Sequence, residues 1–342
     1  MYFMYLMKKL SKENFEKARD YIFTHGDDIT IAWFKYNFEN SSTDEFMSVL
    51  AQYQHENGGF GGLMYEFEYQ GPCLKCTEHA FRYIYYLKEK PSIEHPVIQK
   101  MIKYVIDRYR PERGCWGELL EPGVNDGAHV SWWTYPDGNI EPISDYDERV
   151  KQYNPNGEAA LAALVALYSE LVPKEIYEDI ISYPVQHILR YYDLASSLFG
   201  KSARLDHGQN DIESPYNMKC YQMFIKCLPD KELADKLSAI ICQNPTACMQ
   251  LDYSAWAKGY EELPCDVVET PESVVYPVVK DIVEESLNYL IERQAEDGAW
   301  HLTWGFWGFG EDKTFRKMEK LYETHCTMLM LAKLKRFGRI DI

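Results

Sequence analysis

The segment GVNDGAHVSWWTYPDGN, residues 123–139, brings a carboxylate, an imidazole and three aromatic rings together: Asp126, His129, Trp132, Trp133 and Tyr135. A carboxylate beside an imidazole can exchange a proton with a substrate, and the rings can hold an apolar body or, through their quadrupole, a cation. Three more ionisable residues stand near the starts of apolar helical segments: His79 in CTEHAFRYIYYLK, Glu158 in NPNGEAALAALVALYSEL and His325 in ETHCTMLMLAKLKR. If those helices run parallel, their starts share one rim. Asp126 would then be an acid at the mouth of a cavity, His129 its proton partner, and Trp304 and Trp307 of WHLTWGFWG part of the wall. The alternative is that the rings only pack the loop down.

The elements that position these residues repeat along the chain. Residues 54–60 read QHENGGF and residues 294–300 read QAEDGAW, in one register; RPERGCWG at 110–117 is a weaker copy. Each follows a stretch with helical apolar spacing, such as Ile282, Val283, Leu287, Leu290 and Ile291, so each reads as a helix end followed by a turn. Gly58, Gly114 and Gly298 suit the left-handed backbone that ends a helix, and Gln54 and Gln294 offer amide donors to exposed carbonyls. Phe60, Trp116 and Trp300 then close over their turns as packing devices. The segment from Asn154 is apolar nearly all round, as an enclosed inner helix must be. No run alternates as a strand would, and Pro271 and Pro277 interrupt the most β-branched stretch. The fold class expected is all-α, built from paired outer and inner helices.

Gln294, Asp297, Gly298 and Trp300, with the variant at 54–60, resemble the QW motif of the terpenoid cyclase and protein prenyltransferase superfamily. Together with VNDGAHVSWW and YNPNGEAALAAL, the pattern resembles bacterial proteins described as prenyltransferase-like. The resemblance implies a single α/α toroid domain over residues 1–342, its core at about 10–338. Squalene-hopene-type cyclases are similar in architecture and protonate an alkene with the middle Asp of an Asp-x-Asp-Asp sequence. Asp145-Tyr146-Asp147-Glu148 departs from that by one residue, which would make Asp147 the acid; the same segment also reads as a solvated acidic loop countered by Arg149 and Lys151. Protein prenyltransferase β-subunits are similar at His325-Cys326, but Cys265-Asp266 reverses their Asp-x-Cys order without its middle residue, and their Lys-rich and Arg-rich diphosphate runs are missing. Zinc is therefore not expected, nor is another cofactor.

Composition narrows the partners. The chain has 342 residues, 46% hydrophobic and 26% charged, and a formal charge of −17, which disfavours nucleic acid and anionic membrane surfaces. No apolar run approaches a membrane span, and MYFMYLM is too short for a signal core, so a cytoplasmic chain is expected. The nine scattered cysteines, Cys73-x-x-Cys76 included, read as reduced core thiols. Three functions stay open: an acid-initiated enzyme acting on an isoprenoid or other apolar small molecule, a non-catalytic binding or structural scaffold, and a carbohydrate-active enzyme. Substrate and oligomeric state are not legible.

Overall fold

The computed structural model describes residues 7–138, 141–199, 215–257, 263–303 and 313–342. They are helical: α1 Lys12–His25, α2 Asp28–Phe38, α3 Thr43–Leu50, α4 Leu74–Tyr86, α5 Pro96–Asp107, α6 Tyr146–Lys151, α7 Pro155–Leu167, α8 Lys174–Phe199, α9 Pro215–Cys227, α10 Lys231–Ile241, α11 Pro264–Val267, α12 Tyr276–Glu292 and α13 Lys313–Arg336. Among the described residues there are isolated β-bridges and no strand. No helix among them is long and apolar enough to cross a membrane.

Short polar side chains start the helices. Ser11, Asp27 and Asp230 accept the orphan N–H groups of α1, α2 and α10, and Ser42 and Glu45 form a reciprocal capping box on α3. Helix α7 is buried at every residue from Glu158 to Ala166, in keeping with its all-round apolar sequence. It packs chiefly on α9, and also on α4, α5 and α8. Helix α13 packs on α1 and α2, while α11 packs on α9 and α12. The indole of Trp33 on α2 lies 5.3 Å from the ring of Tyr83 on α4.

The repeated turns share their hydrogen bonds atom for atom. Gln54 Nε2 donates to the carbonyls of Gly58 and, on α5, Val97, both at 3.0 Å. Gln294 Nε2 donates to those of Gly298 at 2.9 Å and, on α1, Asn14 at 3.0 Å. Asn57 and Asp297 each accept the N–H two residues on, at 3.1 Å. The backbone N–H of Phe60 then donates to Thr77 Oγ1 on α4 at 3.0 Å, and that of Trp300 to Thr327 Oγ1 on α13 at 3.1 Å. In the third turn the indole N–H of Trp116 reaches the Val105 carbonyl at 2.8 Å, as that of Trp300 reaches Leu290 at 2.7 Å. Each turn leans on a later helix: a Cβ at Gly58 would stand 2.1 Å from the Lys100 carbonyl of α5, and one at Gly114 2.1 Å from the Tyr183 ring of α8. For the last turn the neighbour is the first helix, since a Cβ at Gly298 would stand 2.4 Å from Lys17 of α1. The chain ends meet as well: Leu10 bridges Ile340 in parallel, its N–H bonded to the Arg339 carbonyl at 2.8 Å.

One sequence expectation needs correction. His325 does not open a helix; α13 begins at Lys313, and the charged stretch before Glu323 continues it upstream. The matching of Thr77 with Thr327 aligns His325 with Lys75 rather than with His79.

Candidate functional site

The start of α4 concentrates charge where its spacing calls for core. Cys73 caps the helix, its sulfur accepting the Cys76 N–H at 3.3 Å, and the Lys75 N–H donates to the Leu119 carbonyl at 2.8 Å. Lys75, Glu78, His79 and Arg82 follow at helical intervals on one face. Lys75 Nζ stands 3.1 Å from Glu78 Oε2 and 5.0 Å from the centre of the Trp133 ring. Arg82 Nε binds the other Glu78 oxygen, and Arg82 Nη2 points at Cys220 Sγ on α9, 3.5 Å away. Burial alone would raise the Glu78 pKa, but Arg82 and Lys75 outweigh it and hold the carboxyl down to about 2.

Two loops fold over this face. The Glu68 N–H bonds the Ala128 carbonyl at 2.8 Å and the Val130 N–H bonds that of Glu66 at 3.0 Å, with Phe67 and His129 paired between them. This brings the Trp133 indole N–H to Glu66 Oε2 at 2.8 Å. Glu66 is 7% exposed, and burial raises its pKa against the opposing effects of Trp133, Lys75 and Trp132. Behind it lie His325, its Nδ1 3.3 Å from the Tyr83 hydroxyl, and Tyr65, whose hydroxyl donates to Asp27 Oδ2 at 2.8 Å. Burial lowers His325 to about 4, partly offset by Asp27, and holds His79 well below its ordinary value, with Lys75, Arg82 and His325 adding to the effect. Both imidazoles are neutral at pH 7.

The same charged network continues across α9, α11 and α13. Lys333 binds Asp266, and the Tyr86 hydroxyl donates to Glu269. The Arg336 guanidinium lies 4.4 Å over the Tyr86 ring, its Nε bonded to the Glu269 carbonyl at 2.8 Å. Lys219 acts on both Asp266 and Glu269. Although burial would raise these two carboxylates, the cations hold both below their ordinary values. His79 keeps 27% of its side chain open and Arg82 20%, yet desolvation is the largest influence on the titration of each.

The residues expected at a mouth are divided by this arrangement. Trp133, His79 and His325 join the network, and Trp132, 44% exposed, sits at its edge against Glu66. Asp126 does not join: it is an exposed residue ending the 3-10 turn Pro122–Asp126. His129 spends Nδ1 on the Gly127 carbonyl at 2.9 Å, and Tyr135 is pinned by Asn125 through two backbone bonds of 2.8 and 2.9 Å. Asp147 is 71% exposed and bound to Arg190, because Asp145 serves as the N-cap of α6 and turns the acidic run outward. Trp304 and Trp307 lie outside the described residues.

Glu158 is buried at the start of α7, its pKa raised by burial to about 7 against the Cys115 thiol and the N–H groups of Asn154 and Gly117, and its Oε2 makes no hydrogen bond. Sequence reasoning passed over Glu66, Lys75, Glu78, Arg82, Lys219 and Lys333. For Lys75, Glu78 and Arg82 the signal was available: charges at i, i+3 and i+7 share a helix face, and here Lys75 and Glu78 on that face are buried while Arg82 stays partly open. All nine cysteines are free, and among the described residues no three His, Cys, Asp or Glu side chains are grouped to hold a metal ion. A groove of about 300 Å³ between α5 and Leu171 lies apart from these groups. Comparison with protein-family models, curated proteins and solved structures finds no significant match.

Proposed function

We propose that the chain is an α/α toroid of the terpenoid cyclase and prenyltransferase type, and that it takes a small molecule into its interior. The order of contacts supports the architecture. The repeated turns press on α5, α8 and finally α1, while α2, α4, α7, α9, α11 and α13 touch in succession and α13 returns to α2. The single observation carrying the ligand-binding reading is that His79 and Arg82 keep part of their side chains open directly beside the buried Lys75 and Glu78, where a scaffold filled by its own side chains would cover the whole face. An enzyme working there would use Glu66 in the role first assigned to Asp126. Its carboxyl holds a proton more firmly than usual and lies between the Trp133 indole and Lys75. Tyr65, Tyr83 and Trp133 supply ring faces for an apolar or cationic intermediate.

The carbohydrate reading keeps one specific observation in its favour, the exposed Trp132 against the same carboxyl, a stacking surface beside an acid. Incubation with prenyl diphosphates, squalene-like alkenes and a panel of oligosaccharides, followed by mass spectrometry, tests both. The expected result is turnover of an isoprenoid, lost in Glu66→Gln. Cleavage of an oligosaccharide would replace the isoprenoid by a glycan, and failure of every compound to bind or react would leave the scaffold.

A further inference from the structure

We propose that Cys73 and Cys76 are a redox-active pair, which a peroxide closes to a disulfide and a dithiol opens again. The pair is independent of whatever the interior binds. Cys73 is the N-cap of α4, and its extended backbone, φ −141° and ψ 156° short of none of the usual N-cap range, is that of a residue whose side chain turns back over the first helical turn. Its sulfur accordingly stands 3.3 Å from the Cys76 nitrogen, and the two thiols also hydrogen-bond each other. Sulfurs in such contact can be bridged by rotation of the side chains while the backbone stays in place. Capping does not explain the choice of residue. Sulfur is a weak acceptor, and Ser11, Asp27 and Ser42 cap other helices with oxygen. Nor does the repeat demand it, because the last turn makes the matching bond to Thr327 with Glu323 in the place of Cys73.

The surroundings divide the labour between the two thiols. Burial opposes ionisation of Cys76, but the Cys73 thiol, the N–H groups of Leu63 and Met64 and the Lys75 ammonium outweigh it and lower its pKa. Cys73 is raised well above its ordinary value by the bond to Cys76 and by burial. Cys76 is therefore the attacking sulfur and Cys73 the resolving one. The Cys76 thiolate attacks one oxygen of hydrogen peroxide: the S–O bond forms, the O–O bond breaks, and the hydroxide released leaves as water with the proton that the thiol gave up. Cys73 then attacks the sulfenic sulfur. The S–S bond forms, the S–O bond breaks, and the second hydroxide leaves as water with the Cys73 proton. Both residues are fully buried, so a water-sized oxidant suits the site. The bond would tie the first repeated turn to its helix, since the Cys73 N–H donates to the Phe60 carbonyl at 3.0 Å and the Cys73 carbonyl accepts Thr77 Oγ1 at 2.8 Å.

Peptide mapping of the reduced full chain after timed exposure to hydrogen peroxide, with alkylation of the remaining thiols under denaturing conditions, tests the proposal. Trypsin cuts after Lys75, so the disulfide is read as residues 36–75 joined to residues 76–82. We expect this species to form at least about tenfold faster than any other cysteine is oxidised, and to separate again with dithiothreitol. In Cys73→Ser, which keeps a preferred cap, dimedone should trap a sulfenic acid on Cys76; in Cys76→Ala it should trap none on Cys73. Absence of the joined peptides overturns the pair, as does oxidation spread evenly over the nine cysteines. A sulfenic acid on Cys73 in Cys76→Ala, with none on Cys76 in Cys73→Ser, overturns the assignment of attacking and resolving sulfur. Should Cys76→Ala fail to match the circular dichroism of wild type, the wild-type map and Cys73→Ser decide the question between them.

Discussion

Glu158 keeps its proton to about pH 7 because burial raises its pKa by more than the Cys115 thiol and the neighbouring N–H groups lower it. Between the ordinary value of 4.5 and about 7 the folded chain therefore binds more protons at this site than the unfolded chain. Stability must fall as pH rises through that window, by on the order of 3 kcal/mol in total. His325, lowered to about 4, acts in the opposite sense below its unfolded value, so the difference between wild type and Glu158→Gln is the quantity to measure. Urea midpoints should show wild type losing stability relative to the variant from about pH 5 to about pH 8, and parallel curves would refute the buried proton. The sequence pointed to Glu158 and His79 by their places near helix starts, and to Trp133 by its company. Asp126 and Asp147, the acids that it favoured, stand apart from the buried network, exposed at the end of a turn and in the first turn of a surface helix. Glu66 has no local mark, since only the pairing of residues 66–68 with 128–130 buries it.

At the scale of elements, the turns were legible because their logic is local. Glutamine, a short polar residue, glycine and a ring at fixed offsets determine their own hydrogen bonds, whichever helices surround them. Gly58 and Gly298 have φ of +93° and +90°, and a side chain at either would enter the backbone of α5 or α1. Gly58→Ala and Gly298→Ala should each cost on the order of 2 kcal/mol or more, because strain and clash act together. Trp300→Ala should cost roughly 3–5 kcal/mol, from the lost burial, the cavity and the orphaned Leu290 carbonyl. Chemical denaturation decides these, and unchanged midpoints would mean that the repeat is not structural. Helix α13 was harder to read. Its upstream half is charged and lacks the apolar stripe of its downstream half, so its start, and with it the register of His325, could be fixed only by packing on α1 and α2.

Whether the last repeat closes on the first is a property of the whole molecule, and Arg339 tests it. This residue, three before the end of the sequence given, is 2% exposed: Nε donates to the Lys8 carbonyl at 2.6 Å, and the guanidinium also binds Glu284 and Asn288 of α12. In an open stack of helix pairs a change at one end frays that end and leaves the rest intact, because each repeat feels only its neighbours. In a closed ring the same change weakens the seam on which both the first and last pairs depend. Arg339→Ala should therefore cost about 3 kcal/mol, leaving Glu284 without its buried partner, and should lower a single cooperative transition rather than split it. Hydrogen exchange distinguishes the two cases segment by segment. A closed ring requires faster exchange across α1, Lys12–His25, as well as α12 and α13, because α1 receives both the Gln294 amide and the turn at Gly298. Faster exchange confined to residues 337–342 would make the molecule an open array, and the proposed interior would lose its wall.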